Sequence, residues 1–335
     1  MQWPRAYVSR VSAYVRPLAG FGKDDVQQCG GKGANLGELT GLGLRVPPGF
    51  CVVADALPHL LEASGLTPRI AALAGELAYD DPAALEEQTA RIRSLVVSAR
   101  IPDDLRAEIV AGYHGLVDDR NRYVAVRSSV AVKDSPISSF PGLMDTYHYV
   151  RGEADVLARI GECWASLWTA RAAFVRHEQE IAAERALIAP VVQVMVEADT
   201  AGVLFTANPV TSARDEIVVE SNWGIGESVV SGAAVADHFV LDKETLAAKT
   251  ARIARKNVMV TIDAERGAGR AERAVPEELA TRPTLSDGQL AELGAAGRLI
   301  EQHFGFEADV EWAYQDGQLY VLQARRVRNL APVAD

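Results

Sequence analysis

The chain has 335 residues, 48% of them hydrophobic and 24% charged, which is enough for one large or two medium domains with a full core. Its formal net charge of −11 argues against a nucleic-acid or anionic-membrane partner, which would want a basic surface. Cys29, Cys51 and Cys163 have no paired spacing, Met1 to Arg5 carry no apolar signal core, and no run approaches the roughly 18 apolar residues of a membrane helix. A cytoplasmic protein without a disulfide framework is expected.

Residues 24–49 read as turn-rich with one short helix. Gly30-Gly31-Lys32-Gly33-Ala34-Asn35 enters that helix, and Gly41 and Gly43 are stop signals. Glycines let backbone come close to a ligand, and a helix N-terminus offers N–H groups and a positive dipole end to phosphate. Lys32 would add a point charge. The Walker A spacing is absent, and an exposed lysine on an ordinary Gly-rich helix start accounts for the same residues.

Residues 54–119, rich in Ala, Leu and Glu, read as mostly helical. Residues 123–126 look like a buried strand with Arg127 at its exit, a place where arginine is ordinarily a surface ion-pair partner. Ser128-Ser129 and the Ser/Pro/Gly stretch 138–146 follow, offering the hydroxyls and backbone amides that hold a nucleotide's phosphates. Residues 156–186 form the clearest helix: Val156, Ile160, Trp164, Leu167 and Trp168 repeat at three and four, so the tryptophans are core residues. Pro190 opens a strand-rich part that runs to Val240. The stretch 264–285, rich in Ala, Arg and Glu, is the least patterned and reads as a mobile excursion.

The C-terminal end is the most informative. Residues 309–314 and 318–325 read as two strands joined by a turn containing Asp316-Gly317. Alternation puts Asp309, Glu311 and Ala313 on one face of the first, and Leu319, Val321, Gln323 and Arg325 on one face of the second. A three-residue loop closed by Gly317 would set Tyr314 opposite Gln318 and Asp309 opposite Gln323, with Glu311 diagonal to Gln323. Two carboxylates, an amide oxygen and a guanidinium then share a face. Oxygen ligands of this kind suit Mg²⁺, and Arg325 would neutralise phosphate beside it. The hairpin alone also fits a solvated polar face.

Several motifs together resemble one family. Gly30-Gly31-Lys32-Gly33-Ala34-Asn35, Val126-Arg127-Ser128-Ser129, the run from Gly202 to Thr211 and Leu322-Gln323-Ala324-Arg325 occur in the same order in the ATP-binding N-terminal domain of phosphoenolpyruvate synthase, pyruvate phosphate dikinase and rifampicin phosphotransferase. Cys163-Trp164-Ala165-Ser166-Leu167-Trp168 and the run from Asn222 to Gly232 match as well. The resemblance implies an α+β ATP-grasp fold with ATP held between two subdomains, 1–188 and 189–335. By motif match Lys32 and Arg127 would contact phosphates, and Gly142 and Thr146 would belong to the loop closing over them. Gln193 would lie near the adenine. Glu311 and Gln323 would hold Mg²⁺, with Arg325 on the phosphates. Two departures stand out: Val132-Lys133-Asp134 replaces an Ala-Glu-Asp of many relatives, and Arg326 stands where proline is common.

Full-length relatives carry ATP's β-phosphate on a histidine in a Gly-rich turn of a separate domain. None of His59, His114, His148, His177, His238 and His303 sits in such a context. With Met1 at one end and a stop soon after the last motif, the chain reads as the ATP-binding subunit of a split dikinase. Its phosphohistidine would lie on a partner subunit that phosphorylates a small acceptor, as in the enzymes that act on phenol- or cresol-type compounds. The alternatives are the ATP-binding domain of a single-chain synthase or antibiotic phosphotransferase, and a non-catalytic nucleotide-sensing subunit.

Overall fold

The computed structural model describes residues 12–119, 122–132, 146–232, 234–328 and 330–331. The chain forms two compact units, Met1–Glu38 with Pro48–Met195, and Leu39–Pro47 with Val196–Asp335.

In the first unit the elements run β1 Val15–Pro17, α1 Val26–Gly41 (whose last residues group with the second unit), β2 Gly49–Val52, α2 Ala56–Ala63, α3 Thr67–Gly75, α4 Pro82–Ser98 and α5 Asp103–Leu116. Then come β3 Val124–Arg127, β4 Val130–Val132, β5 Thr146–Val150, α6 Glu153–Ala165, α7 Ala170–Glu178, β6 Ala186–Ile188 and β7 Val191–Val194. The main sheet has the order β1-β2-β7-β3-β5 with antiparallel neighbours throughout. The sequence reading put Pro190 and the strand after it in the second subdomain. Instead β7 stands mid-sheet between β2 and β3, all of its residues buried, and Val52 N–H donates to the Pro190 carbonyl at 2.8 Å.

The expected helix over 156–186 is interrupted. Thr169 is extended at φ −66°, ψ 148°, and its Oγ1 accepts from Ala172 N at 3.2 Å, so it caps a new helix. The carbonyls left at the end of α6 are met by cations: Arg176 donates to Leu167 O, and Arg93 donates to Trp168 O at 2.9 Å. Arg176 is buried over the Trp168 ring, and burial pulls its guanidinium down to about 10. Trp164 and Trp168 are core residues, as their spacing predicts.

The second unit runs β8 Thr200–Phe205, β9 Glu216–Trp223, α8 Glu227–Val230, β10 Asp237–Asp242, β11 Ala248–Arg252, β12 Val258–Ile262, β13 Arg270–Ala274, α9 Glu277–Ala280, α10 Asp287–Phe304, β14 Ala308–Gln315 and β15 Gln318–Arg326. Its sheet has the order β11-β10-β9-β8-β14-β15, again antiparallel. The stretch 264–285 holds β13 and α9, and Trp223 Nε1 donates to Leu279 O at 3.0 Å.

Helix α10 starts at a capping box of Ser286 and Gln289 and stops at Gly305, which is left-handed at φ 67°. It lies on the sheet face formed by Ile217, Leu204, Leu241, Val310 and Trp312. The fit is close because of two glycines: a Cβ on Gly297 would stand 2.7 Å from Leu204 Cδ2, and one on Gly294 2.9 Å from Leu246 Cδ2. Tyr314 on the same face donates to Gln289 O at 3.0 Å and to the Glu292 carboxylate at 2.8 Å. The opposite face carries Asp309, Glu311, Gln323 and Arg325 beside a small apolar cluster of Val196, Ala201 and Ala313.

Candidate nucleotide and metal site

The first unit carries four of the expected residues and brings three of them together. Arg127 ends β3 and is buried rather than at the surface; its register partners are Val191 on β7 and Thr146 on β5. Gln193 pairs with Ala125, so pleat parity puts it on Arg127's face, and Arg127 Nη1 donates to Gln193 Oε1 at 3.4 Å. Thr146 is half-buried beside them. Gly142 and Lys133 lie outside the described residues.

Lys32 sits just past a break in α1. Gly30 has φ 68° and ψ 172°, which interrupts the helix and frees the amides that follow. The N–H groups of Lys32 and Gly33 do not stay open for a phosphate, as the sequence suggested; both donate to Ser129 Oγ at 3.2 Å. Lys32 Nζ is buried. Nearby, Cys29 and Cys51 are free and buried, and burial pushes the Cys29 thiol up to about 12, so neither offers a thiolate nucleophile.

In the second unit the β14–β15 hairpin carries the other group, with a register unlike the expected one. Gln315 pairs with Gln318, so the loop is Asp316-Gly317 alone, at φ 51° and φ 70°, the left-handed pair that a tight two-residue turn demands. A bulge at Leu322 then shifts the pairing between Glu311 and Trp312. Asp309 therefore faces Arg325, not Gln323, and Glu311 faces Gln323 directly. The loop is one residue shorter than expected and the bulge adds one back, so the four polar groups still share a face. Val321, paired with Trp312, leaves it for the α10 side.

Gln323 Nε2 donates to Glu311 Oε1 at 3.0 Å, and Arg325 Nε donates to Asp309 Oδ2 at 2.8 Å. Burial pushes the Asp309 carboxyl up, Arg325 pulls it down and Glu311 adds to the upward push. Asp309 Oδ1 is buried with no hydrogen-bond partner among the described residues. Two acceptor carboxylates and an amide form a hard oxygen set that fits Mg²⁺. No cluster of three or more His, Cys, Asp or Glu gathers among the described residues, so a metal here would complete its shell with phosphate and water. Glu220 lies on this face too, because Val203 pairs with both Glu311 and Glu220. Sequence reasoning missed it; only strand pairing could find it.

Each unit thus carries charged and polar groups of its own, Lys32 and Arg127 in the first and Asp309, Glu311, Gln323 and Arg325 in the second. Residues 26–333 match the pyruvate phosphate dikinase AMP/ATP-binding domain family, and the chain belongs to it. It is 40% identical over 325 residues to a probable phosphoenolpyruvate synthase of Methanothermobacter thermautotrophicus, covering 96% of this chain and 47% of that protein. It is 38% identical over 358 residues to the phosphoenolpyruvate synthase of Pyrococcus furiosus, covering 95% and 44%. It is 35% identical over 311 residues to a rifampicin phosphotransferase of a Streptomyces species, covering 92% and 35%. The chain thus spans less than half the length of these relatives. Among the described residues no helix is long and apolar enough to cross a membrane.

Proposed function

We propose that this chain is an ATP-grasp nucleotide-binding unit of a dikinase that splits ATP to AMP and passes the β-phosphate to a histidine on a partner subunit. The observation that carries the reading is the hairpin face of Asp309, Glu311, Gln323 and Arg325 in a chain of this family. Lys32 and Arg127 contact phosphates, Thr146 and Gly142 serve the closing loop, and Gln193 serves the adenine. Glu311 and Gln323 hold Mg²⁺, which when bound compensates charge on the phosphates. Arg325, oriented by Asp309, adds a fixed cation. Phosphoryl transfer is catalysed mainly by positioning and charge stabilisation, and these residues supply both.

None of the six histidines lies in a Gly-rich carrier turn, which supports an acceptor outside this sequence, on a partner that phosphorylates a small phenol-type compound. The names of the longer relatives favour a second reading, the ATP-binding domain of a single-chain synthase. Incubation with β-labelled ATP and candidate partner proteins separates them. Label on a partner histidine supports the split arrangement. Steady AMP and phosphorylated product from the chain alone overturns it, and calorimetry showing no Mg-ATP or ADP binding overturns the nucleotide reading itself.

A further inference from the structure

Ser129 is buried, and its hydroxyl is fully used by one short segment of α1. It donates to Cys29 O at 2.7 Å, before the break at Gly30, and accepts from Lys32 N and Gly33 N at 3.2 Å each, after it. A hydroxyl has one proton and two lone pairs, so nothing remains for a ligand. A helix start normally takes its cap from the residue just before it; this one takes it from a strand exit some hundred residues away. The backbone of Ser129 is itself fixed, since Ala189 N–H donates to its carbonyl at 2.8 Å.

The approach depends on Gly30 in two ways. Its φ of 68° opens the helix, and a Cβ there would stand 2.3 Å from Ser129 Oγ and 2.6 Å from Val130 O. Arg127 lies two residues before Ser129 on the same strand exit. The hydroxyl therefore joins the backbone that carries Lys32 to the backbone that carries Arg127.

We infer that Ser129 is a positioning residue: it clamps the Gly30–Gly33 turn to the end of β3 and so sets where the Lys32 ammonium stands relative to Arg127. It acts on phosphate through Lys32 and touches no ligand. The inference rests on the proposed nucleotide role of Lys32.

The test is a double-mutant cycle of Ser129→Ala and Lys32→Ala, read as Mg-ATP and adenosine affinity by calorimetry. Ser129→Ala should weaken Mg-ATP binding about 10-fold, as expected when buried donors lose their acceptor, and leave adenosine nearly unchanged. In the Lys32→Ala background it should cost almost nothing further, a coupling that a merely structural role would not produce. Equal losses for both ligands, or full additivity, would overturn the inference. Hydrogen exchange of the wild-type protein without nucleotide covers the case in which Ser129→Ala does not fold: protected Lys32 and Gly33 amides support the clamp, and fast exchange at both overturns it. Wild-type protein that binds no Mg-ATP would sink the proposed function, while amide exchange still decides the clamp.

Discussion

Asp237 and Lys256 form an ion pair at 2.7 Å with both side chains 0% exposed, on the α10 side of the second sheet. Asp237 Oδ1 also accepts from Ala254 N at 2.9 Å, and Oδ2 accepts from Thr284 N and Thr284 Oγ1 at 2.9 Å. Lys256 Nζ donates to Ala254 O at 3.0 Å as well. The carboxylate thus ties the start of β10 to two loop segments. Asp237→Ala strands a buried ammonium and the Thr284 and Ala254 donors, so it should cost about 3–5 kcal/mol. At roughly 2–4 °C per kcal/mol for a unit of this size, Tm should fall by about 6–20 °C. Lys256→Met removes one donor and leaves the carboxylate its other bonds, so its cost should be smaller. The double variant Asp237→Leu with Lys256→Met should recover part of the loss, because no buried charge is left alone. Urea unfolding and calorimetry give the numbers. Since Ser221, the β9 partner of Asp237, shares the face of Ile217 and not that of Glu220, Mg-ATP affinity of the folded variants should barely change. Costs below about 1 kcal/mol for Asp237→Ala would refute the account of a buried charge held by its partners.

Glu311→Ala and Gln323→Ala should abolish turnover with partner and acceptor at modest cost to folding; a folded variant with near-normal activity would show the metal assignment wrong. Lys32→Ala and Arg127→Ala should each lower the rate about 10²–10³-fold with little change in adenosine affinity, by analogy with losing one preorganised donor. A large loss of adenosine binding with unchanged turnover would reverse those roles. Arg325→Ala removes the cation that pulls the Asp309 carboxyl down, so its value rises further above the ordinary carboxylate range. A folded state that binds this proton more tightly than the unfolded state loses stability as pH rises from the ordinary carboxylate value through the raised one. Relative to wild type, Arg325→Ala should therefore be least stable at neutral pH and recover in acid, as urea unfolding across pH would read. Replacing Asp309 by Asn in the same background should remove that slope.

What the sequence made legible were faces and what it hid were counts. Alternation alone put Asp309, Glu311, Gln323 and Arg325 together, and they are together. The loop is two residues rather than the expected three, and the bulge at Leu322 goes unannounced because it leaves no mark in a run of apolar residues. The two miscounts cancel in parity. The helix from 156 was legible in its apolar spacing, but Thr169 looks like any exposed polar residue until its hydroxyl is seen capping Ala172. The strand Val191–Val194 was legible as a strand; that it pairs with β2 and β3 is a long-range fact that no local pattern carries. Arg127 was expected at a strand exit, yet its burial follows from β5 and β7 closing on both sides.

The second sheet separates its packed face from the polar groups of the hairpin, so the proposed site and the stability of the unit can be tested apart. Trp312, Val310, Leu204, Ile217 and Leu241 are buried on the face under α10, at about 1.5–3 kcal/mol for each large side chain removed from water. Tyr314 adds its hydroxyl bonds on that same side. Glu311 and Arg325 on the other face are only partly buried, so truncating them leaves the packed face intact. Asp309 is the exception, a carboxylate buried against its ordinary preference and held by one guanidinium. Its one side-chain bond to the face holds the Arg325 guanidinium in place, so Asp309→Asn should loosen Arg325 while relieving the burial that pushes the carboxyl up.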